Sequence, residues 1–405
     1  MNIYFKLKAF PQVSETFIVN NLVYAKQRGF DIKIITDRYL GLENSSQADI
    51  LKKYNIETDI VKPFSFSKNK FKKLFQVLFI LSHLRILKYV YAYYKLKRKK
   101  NLLPLATLYQ YRNLKNGILH VHFNNALEAL IDLAKIGYIK PKCIVTFHGY
   151  DAFLDDREGF QKKYGVFYRK HVVAVTTNSN YLKEKVVQLG VDESKINVVP
   201  IGFDPKRFKG SPRELPESEN IKLITVGRLV QLKGQIYMIK ALSKLKQKDY
   251  NISYTIVGSG NYENTLKTET ENLGLTDHIY FEGSKTQEEI KTYLQKSNLF
   301  ILPSTYDDNN GRKEAFGLVS LEAQATGLPV IGFISGGFPD TIIEGKTGFA
   351  VENRNIEQLA DKIEHLISHP SIYLKMSKAA INHAQKFDHQ KTTQQYLDLY
   401  QKFNA

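Results

Sequence analysis

The sequence has very little cysteine. Its 405 residues contain one, Cys143, inside the apolar run KCIVTF. A disulfide within the chain is therefore excluded, and a thiol in such a run is expected to lie buried in a strand. A chain without disulfides suits a reducing compartment, so we expect a cytoplasmic protein.

Long apolar runs are also absent. No stretch of about 18 consecutive apolar residues occurs, so the sequence predicts no membrane-spanning helix. The first residues, MNIYFKLKAFPQVSETF, lack the apolar core of a signal peptide. At 405 residues and 43% hydrophobic, the chain is long enough to form two domains with a core each.

Acidic residues are missing from one segment. Residues 62–100 contain no Asp or Glu, yet they carry much of the net charge of +18. The basic residues of this segment are Lys62, Lys68, Lys70, Lys72, Lys73, Arg85, Lys88, Lys95, Lys97, Arg98, Lys99 and Lys100. The charge therefore predicts a local cationic surface rather than a generally basic protein.

The same segment is also rich in Leu, Ile, Phe and Tyr. As one helix, it would present a mixed stripe of Arg85, Lys88, Lys95 and Lys99 beside Leu84, Leu87, Tyr91 and Tyr94. Such a stripe is typical of a helix that lies on an anionic membrane. The alternative is a core helix whose lysines extend to solvent.

Short apolar runs alternate with helical patterns, which is typical of parallel α/β layers. The predicted strands are NIYFKL, FDIKIIT, GILHVHF, CIVTFHG, VVAVTTN, INVVP, IKLITVGRL, YTIVGSG, HIYFEG, LFILPS and LPVIGF. SETFIVNNLVYAKQRG is predicted to be a helix with Ser14 as its N-cap and Gly29 as its stop. Residues 201–220 are polar and aperiodic, and they are predicted to link two domains.

The predicted fold class is therefore α/β, with two doubly wound Rossmann-like domains facing a central cleft. The expected domains are 1–205 and 206–385, and 386–405 is an amphipathic helix expected to pack back on the first domain. Ligands bind at the carboxyl ends of the strands in such sheets. We therefore examined the residues that follow each predicted strand.

Two cations follow the strand IKLITV. Arg228 and Lys233 lie in a turn bracketed by Gly227 and Gly234. A guanidinium and an ammonium five residues apart can converge on one anion. Two solvated surface cations are the ordinary alternative.

Two carboxylates lie in RKEAFGLVSLEAQATGLPVI, residues 312–331. Glu314 precedes a predicted helix start near Gly317, and Glu322 lies within that helix. The free N–H groups of a helix start attract phosphate. A carboxylate accepts two hydrogen bonds from a sugar diol. The spacing is typical of a phosphate at the helix start with hydroxyl groups on either side, although a helix with charged ends is the simpler interpretation.

The first half carries histidines near strand ends. His120 and His122 share one face of LHVHF, and His148 and Asp151 follow CIVTF. Three histidines raise the possibility of zinc, but no fourth ligand at metal spacing is present, so no metal is predicted.

Taken together, these motifs resemble the retaining glycosyltransferases of the GT-B fold, glycosyltransferase family 4. The second half carries VGRLVQLKG, IVGSG, FEG, LFILPS, EAFGLVSLEAQATGLPVIGFISGGFPD and GKTGFAV in the family's order. The first half carries FPQVSETFI, HVHF, TFHGYD and KINVVPIGFDPKRF. The SETF loop is similar to that of the branch that builds bacterial exopolysaccharide, capsule or lipopolysaccharide.

The resemblance implies a site for a UDP- or GDP-linked sugar donor in the second domain. Arg228 and Lys233 would neutralise the diphosphate, and Gly317 and Leu318 would offer it backbone amides. Glu322 would hold the ribose and Glu314 the transferred sugar. The remaining donor-binding residues implied by the resemblance are Gly227, Gly283 and Phe316.

The resemblance further implies that His148 touches the donor sugar near the reacting carbon. It makes His148, Arg228, Lys233 and Glu314 the catalytic set. On the acceptor side it implies Ser14, Glu15, His122 and Asp151. It also implies retention at the anomeric carbon with no cofactor and no metal, because side chains supply the positive charge.

The leading hypothesis is a glycosyltransferase for a glycan or lipid-linked acceptor, attached peripherally to the inner face of the plasma membrane. A transferase for a soluble acceptor is the first alternative. A nucleic-acid-binding protein is the second, suggested by the basic segment, but that segment is apolar between its cations and no nucleic-acid-binding module is present. An inactive scaffold is the third, and the intact Arg228, Lys233, Glu314 and Glu322 disfavour it.

Overall fold

The computed structural model describes residues 1–12, 15–98, 101–153, 156–216, 220–308 and 311–404. These residues fold into two compact units. The first comprises the described residues of Met1–Thr177, Lys183–Val199 and Thr393–Ala405. The second comprises those of Asn178–Leu182 and Pro200–Thr392. The first unit therefore includes residues from the end of the chain as well as from its first half.

The first unit is built on a parallel sheet of seven strands in the order β3-β2-β1-β4-β5-β6-β7. Its strands are β1 Asn2–Phe10, β2 Asp31–Tyr39, β3 Ile60–Val61, β4 Ile118–His122, β5 Lys142–Thr146, β6 Val172–Thr177 and β7 Ile196–Val198. The central strands are almost continuously buried, because helices cover both faces of a parallel sheet. This explains why they appear in the sequence as apolar runs rather than as alternating patterns.

The second unit is built on a parallel sheet of six strands in the order β10-β9-β8-β11-β12-β13. Its strands are β8 Ile221–Val226, β9 Ile252–Val257, β10 Ile279–Gly283, β11 Leu299–Leu302, β12 Val330–Phe333 and β13 Gly348–Val351. In both sheets the strand order reverses beside the first strand of the unit, between β1 and β4 and between β8 and β11. Ligands bind at such switch points, outside the carboxyl ends of the strands.

Helices connect the strands throughout. Those before residue 200 are α1 Thr16–Gln27, α2 Ala48–Lys53, α3 Lys70–Leu81, α4 Leu84–Lys97, α5 Leu103–Gln110, α6 Glu128–Lys135, α7 Arg157–Phe160, α8 Val166–His171 and α9 Asn180–Gln188. Those after residue 200 are α10 Gln235–Gln247, α11 Glu263–Asn272, α12 Gln287–Lys296, α13 Leu318–Ala325, α14 Ile356–Ser368, α15 Pro370–Ala384 and α16 His389–Asn404. Helix α1 begins at Thr16 with Glu15 as its N-cap, and the predicted cap Ser14 lies outside the described residues.

The eleven predicted strands correspond to observed ones. The strands β3 and β13 were not predicted, since β3 has two residues and β13 follows a turn in GKTGFAV. The predicted α/β class with two doubly wound sheets is confirmed.

The stretch 201–220 does not behave as a free linker. Phe203 and Phe208 are buried in the core of the second unit, 5% and 2% exposed. Gly210 donates its N–H to the carbonyl of Ala325 at 3.1 Å. The sequence predicts a linker here because the stretch is polar and rich in proline. Two phenylalanines do not form a periodic pattern that would indicate a buried segment.

The basic segment forms two helices rather than one. Helices α3 and α4 meet at Ser82–His83 and are bent by 104°. Among the described residues, no single helix is both long and apolar enough to cross a bilayer; α3 and α4 together meet that criterion by length and composition alone.

Candidate functional site

The loops at the carboxyl edge of the second sheet pack backbone against backbone. Gly258 follows β9 with φ +143°, and a Cβ there would lie 1.9 Å from the carbonyl oxygen of Gly227. Gly234 has φ +64°, and its Cβ would lie 1.9 Å from the oxygen of Pro303. Only glycine permits these approaches. They hold the turn after β8 against the residues that follow β11. Lys233 lies in this turn, so its backbone position is fixed.

Lys233 and Glu314 form an ion pair in this position. The Nζ of Lys233 lies 2.5 Å from Oε2 of Glu314, and the two side chains are 16% and 12% exposed. Ser304 also donates to Oε2 at 3.2 Å. Burial raises the pKa of Glu314, but Lys233, Ser304 and the N–H of Phe316 outweigh burial, so its pKa lies below the ordinary value. Glu314 is therefore ionised at neutral pH.

Helix α13 begins directly beside this pair. Its N-cap, Gly317, has φ +90° and no side chain with which to cap the helix. A Cβ on Gly317 would lie 3.7 Å from Cγ of Glu314, so the helix start and the carboxylate adjoin. The first residue of the helix, Leu318, is half-buried. An uncapped start of this kind offers N–H groups and a partial positive charge to an anion.

Glu322 lies in the same helix and is half-buried. Burial raises the pKa of its carboxyl group to about 7, while Arg207 opposes that shift. Arg207 is itself held by Glu288, at 2.8 Å, and by Gln287. The carboxylate of Glu322 has no hydrogen-bond partner within the described part of the chain. It is therefore available to a ligand hydroxyl.

The other predicted donor-binding residues take simpler positions. Arg228 is exposed, and Gly227 lies next to Lys233, since its Cβ would be 3.6 Å from the lysine Cε. Gly283 ends β10 and accepts the N–H of Gly258 at 2.8 Å. The side chain of Phe316 is 1% exposed within the core, and its backbone N–H bonds the carboxylate of Glu314.

Arg354 holds the loop after β11, and sequence reasoning missed it. It donates to Thr305 at 2.9 Å, to the carbonyl of Tyr306 at 3.2 Å and to Asp308 at 2.7 Å. Gln231 also donates to Asp308, at 2.5 Å. The carboxylate of Asp308 thus supports the loop. No conspicuous sequence motif surrounds Arg354.

In the first unit, the predicted residues gather after β4 and β5. Nδ1 of His122 and Nε2 of His148 are 3.0 Å apart, so one ring donates to the other. Burial lowers the pKa of His122 to about 3 and that of His148 well below its usual value. The rings of Phe17 and Phe123 flank His148 at 4.8 and 4.4 Å. Both histidines are therefore neutral at pH 7.

Asp151 is held by backbone N–H groups of the loops after β4 and β5. It is 5% exposed, and its two oxygens accept the N–H groups of Asn124, His148 and Gly149 at 2.9, 3.0 and 3.2 Å. Burial raises its pKa to about 6 despite these bonds. Asp151 therefore joins the loops after β4 and β5 and positions His148, and it does not point a free carboxylate at an acceptor.

Glu15 lies buried at the start of α1. It is 8% exposed, and Gln12 donates to its Oε1 at 2.8 Å. Its Oε2 and the Nε2 of His122 are both buried without a hydrogen-bond partner in the described structure. Burial raises the pKa of Glu15 to about 7. The remaining acceptor-side residue, Ser14, lies outside the described residues.

His120 belongs to the core rather than to the site. It bonds Tyr400 at 2.5 Å and Thr146 at 2.6 Å, and it is fully buried. Its ring lies 4.1 Å from that of His122, as expected for two residues on one face of a strand. Across the described ranges, no three His, Cys, Asp or Glu side chains are grouped so as to hold a metal ion.

Comparison with known proteins gives matches over nearly the whole chain. Residues 14–207 match the family described as Glycosyltransferase Family 4, and residues 207–386 match that described as Glycosyl transferases group 1. The amylovoran biosynthesis glycosyltransferase AmsK of Erwinia amylovora is 29% identical over 371 residues, 89% of each chain.

Solved structures are similar in fold. A glycosyltransferase from Rickettsia africae superposes with a TM-score of 0.71 at 23% identity, over 99% of this chain and 98% of the other. HepE of Anabaena, solved with UDP, superposes with a TM-score of 0.73 at 17% identity, over 99% of each chain. Two adjoining family matches and a relative of nearly full length agree with the site described above: the chain belongs to the family 4 glycosyltransferases of the GT-B fold.

Proposed function

We propose that the enzyme transfers a sugar, with retention at the anomeric carbon, from a nucleotide-sugar to a lipid-linked glycan acceptor in cell-surface polysaccharide synthesis. One observation carries this proposal: a buried cation, Lys233, paired with a carboxylate, Glu314, beside the uncapped start of α13. The name of AmsK, an amylovoran biosynthesis enzyme, supports the pathway class. The complex of HepE with UDP supports the class of donor.

The donor would bind along the carboxyl edge of the second sheet. Its diphosphate would take the N–H groups at the start of α13, with Arg228 and Lys233 as counter-charges. The ribose diol would donate to Glu322, whose carboxylate has no competing partner among the described residues. Lys233 and Ser304 both donate to Oε2 of Glu314, so Oε1 would accept hydrogen bonds from hydroxyls of the transferred sugar.

Transfer breaks the bond between the anomeric carbon and the phosphate oxygen and forms a bond to the acceptor oxygen. The leaving diphosphate gains negative charge, which Lys233, Arg228 and the helix start stabilise without reorganising. Attack on the face that the phosphate leaves gives retention. The proton of the acceptor hydroxyl passes to the departing phosphate oxygen, so charge and atoms balance.

The first unit would supply neutral polar groups for the acceptor. His148 is neutral and wedged between aromatic rings, so its ring is fixed as a hydrogen-bonding group rather than a cation. Glu15 presents a buried, unpartnered oxygen that suits an acceptor hydroxyl. With a pKa of about 7, Glu15 is partly protonated at neutral pH and can either donate or accept.

The membrane would be met by the exposed faces of α3 and α4. These helices expose an apolar set, which we call the α3–α4 face: Phe71, Leu74, Phe75, Leu78, Phe79, Leu84, Leu87 and Tyr91. Phe71 is 76% and Leu84 83% exposed. Lysines flank this face and no acidic residue occurs from 62 to 100, so it suits an anionic bilayer at the inner face of the plasma membrane.

The described members of the predicted four-cation stripe, Arg85, Lys88 and Lys95, all lie on α4. Arg85 donates to the carbonyls of Arg112 and Tyr138 at 2.9 Å each. Arg85 is therefore anchored to its own unit. Lys88 and Lys95 remain exposed, and Lys99 lies outside the described residues.

The test is a thermal-shift screen of UDP- and GDP-sugars, followed by mass spectrometry of the product formed on lipid-linked and soluble acceptors. Stabilisation by one donor and a mass gain of one sugar on the lipid-linked acceptor are expected. A mass gain only on a soluble acceptor would contradict the proposed acceptor. Vesicle flotation and a nucleic-acid gel shift at matched salt separate the membrane from the nucleic-acid alternative.

A further inference from the structure

A cavity lies in the first unit, at the edge of the sheet opposite to the carboxyl ends of its strands. It encloses about 740 Å³ and is lined at the amino ends of β1, β4 and β5, for example by Tyr4, Gly117 and Lys142. The candidate residues around His148 follow the carboxyl ends of the same strands. Because β4 has five residues and a strand rises about 3.3 Å per residue, roughly 16 Å separate the two edges.

This cavity is lined by cations from separate parts of the chain. Arg85 and Lys88 come from α4, Lys115 from the turn before β4, and Lys140 and Lys142 from the start of β5. No Asp or Glu lines it. In the described part of the chain, Lys88, Lys115 and Lys140 form no ion pair. Three of the cavity's cations, Lys88, Lys115 and Lys140, therefore carry positive charge that no carboxylate in the described part of the chain neutralises.

One of these cations is held in a fixed orientation. The guanidinium of Arg85 donates to the carbonyls of Arg112 and Tyr138 and lies 4.7 Å from the centre of the Tyr138 ring. A guanidinium has five N–H groups, so three remain for a ligand. The N–H of Lys115 donates to the hydroxyl of Tyr4 at 3.0 Å, which fixes the turn that carries that lysine. The cavity thus combines a guanidinium group in a fixed orientation with the ammonium groups of flexible lysines, and both kinds of group bind phosphate.

The surroundings favour a phosphate that carries hydrocarbon. Leu84, Leu87 and Tyr91 are 83%, 54% and 77% exposed on α4, next to Arg85 and Lys88. A free phosphate would leave most of 740 Å³ unfilled and the leucines in water. We propose that this cavity binds the phosphodiester headgroup of an anionic phospholipid, with the acyl chains along the α3–α4 face. The inference rests on the proposed membrane attachment and adds a specific lipid site that is separate from the acceptor site.

The test compares two triple variants of the full chain. The cavity variant is Lys88→Gln, Lys115→Gln and Lys140→Gln. The control variant, Lys52→Gln, Lys162→Gln and Lys170→Gln, removes the same charge from exposed lysines of the same unit outside the cavity. Vesicles contain phosphatidylcholine with an equal fraction of either phosphatidylglycerol or oleate, at a pH alkaline enough to ionise the oleate, so that charge is matched and the anionic phosphate is not. Circular dichroism spectra and urea unfolding curves that match those of the wild type confirm that each variant is folded.

The cavity variant should bind phosphatidylglycerol vesicles at least roughly tenfold more weakly than the control variant, because each lysine near the surface contributes about 1 kcal/mol. On oleate vesicles the two variants should bind alike. Equal losses on both vesicles would mean that diffuse charge alone acts, and this would overturn the headgroup site.

A vesicle-free arm keeps the two proposals distinct. Glycerol 3-phosphate should raise the melting temperature of the wild type and of the control variant but not of the cavity variant, and inorganic phosphate should do so less. Equal stabilisation of all three proteins, or an equal effect of inorganic phosphate, overturns the headgroup site. If the wild type ignores every vesicle, the membrane attachment fails, while this arm still decides whether the cavity takes a headgroup.

Discussion

Lys233 and Glu314 are 81 residues apart in the sequence, and their side chains meet at 2.5 Å in the free protein. Family resemblance gives these residues to different parts of the donor, the diphosphate and the sugar. Here they neutralise each other while both are largely buried. A bound diphosphate would therefore compete with Glu314 for the ammonium group of Lys233. The ion pair holds both side chains in position before a ligand binds.

A double-mutant cycle tests this pair. In Lys233→Met the Glu314 carboxylate keeps its burial but loses its cation, so the free energy of unfolding at pH 7 should fall by about 3 kcal/mol. The double variant Lys233→Met/Glu314→Gln removes the unpaired charge and should recover at least about half of that loss. Urea denaturation measures all four proteins. Losses that add within roughly 0.5 kcal/mol would show that the two residues are not coupled.

Glu322 and Glu314 should fail in different ways when changed. Ribose is remote from the reacting carbon, so Glu322→Gln should cost about 1.5–3 kcal/mol of binding, or roughly 10- to 150-fold in affinity for the bare nucleotide diphosphate. The transferred sugar gains positive character in the transition state, where the Glu314 carboxylate helps most. Glu314→Gln should therefore bind the nucleotide almost normally and lose kcat.

Calorimetry with the nucleotide diphosphate and steady-state kinetics on both variants decide between these outcomes. Glu271→Gln, which removes an exposed carboxylate of α11, serves as the matched charge control outside the site. If Glu322→Gln and Glu314→Gln lose nucleotide affinity equally, the two carboxylates do not divide the donor between them and support the loop and helix instead.

Nucleotide affinity should depend on pH through Glu322. Its pKa of about 7 in the folded protein lies above the ordinary value of 4.5, so burial penalises the charged form. The stability that the protonated group contributes is complete below about 4.5 and is lost as pH rises through 7. Ribose hydroxyls donate to the ionised carboxylate, so affinity should rise about tenfold from pH 6 to pH 8.

Glu322→Gln is the control for that pH profile. It retains the titration of the nucleotide's own phosphate and removes that of the protein carboxyl group. Calorimetry at about pH 6, 7 and 8 brackets the pKa of Glu322, and the affinity of the variant should change less with pH than that of the wild type. Parallel profiles for wild type and variant would exclude Glu322 as the titrating group.

The sequence was informative where a strand end and a residue type coincide. Strand runs such as IKLITV placed Arg228 and Lys233 at the correct sheet edge, since the carboxyl ends of parallel strands share one edge. What each side chain contacts depended on tertiary packing. No sequence pattern indicates that the carboxylate of Asp151 accepts the N–H groups of Asn124, His148 and Gly149.

The same limit applies to residues that no motif singled out. Arg354 supports the loop after β11 from a position with φ +64°, which the sequence does not reveal for an arginine. Phe203 and Phe208 were hidden in a stretch that is polar on average. The break between α3 and α4 was missed because SH within an apolar, basic run does not disrupt helical periodicity.

Activity should survive chelation of divalent metals. The positive charge assigned to the leaving diphosphate comes from Lys233, Arg228 and the start of α13, none of which EDTA removes. We therefore expect turnover in EDTA to remain close to that of untreated enzyme. A loss of activity that magnesium or manganese restores would assign that stabilisation to a metal ion.

The loop after β12 should control Glu314 through a single glycine. Gly336 has φ +59°, and a Cβ there would lie 1.8 Å from the carbonyl oxygen of Glu314, a backbone atom that cannot rotate away. The next residue, Gly337, donates its N–H to that same oxygen at 2.8 Å. Gly336→Ala must therefore displace the Glu314 backbone, and a misplacement of about 1 Å can lower kcat by roughly 10²-fold.

Gly345→Ala is the matched control for this substitution. Gly345 also has a positive φ, +69°, but no described atom lies within 4 Å of its Cβ position. Both variants therefore carry a left-handed strain of roughly 1–2 kcal/mol, which urea denaturation should detect in each. Only Gly336→Ala should lose kcat, because only there does the added methyl group meet the backbone of a site residue. If the two variants lose stability and kcat alike, backbone strain alone explains both, and the close approach of Gly336 to Glu314 does not position the carboxylate.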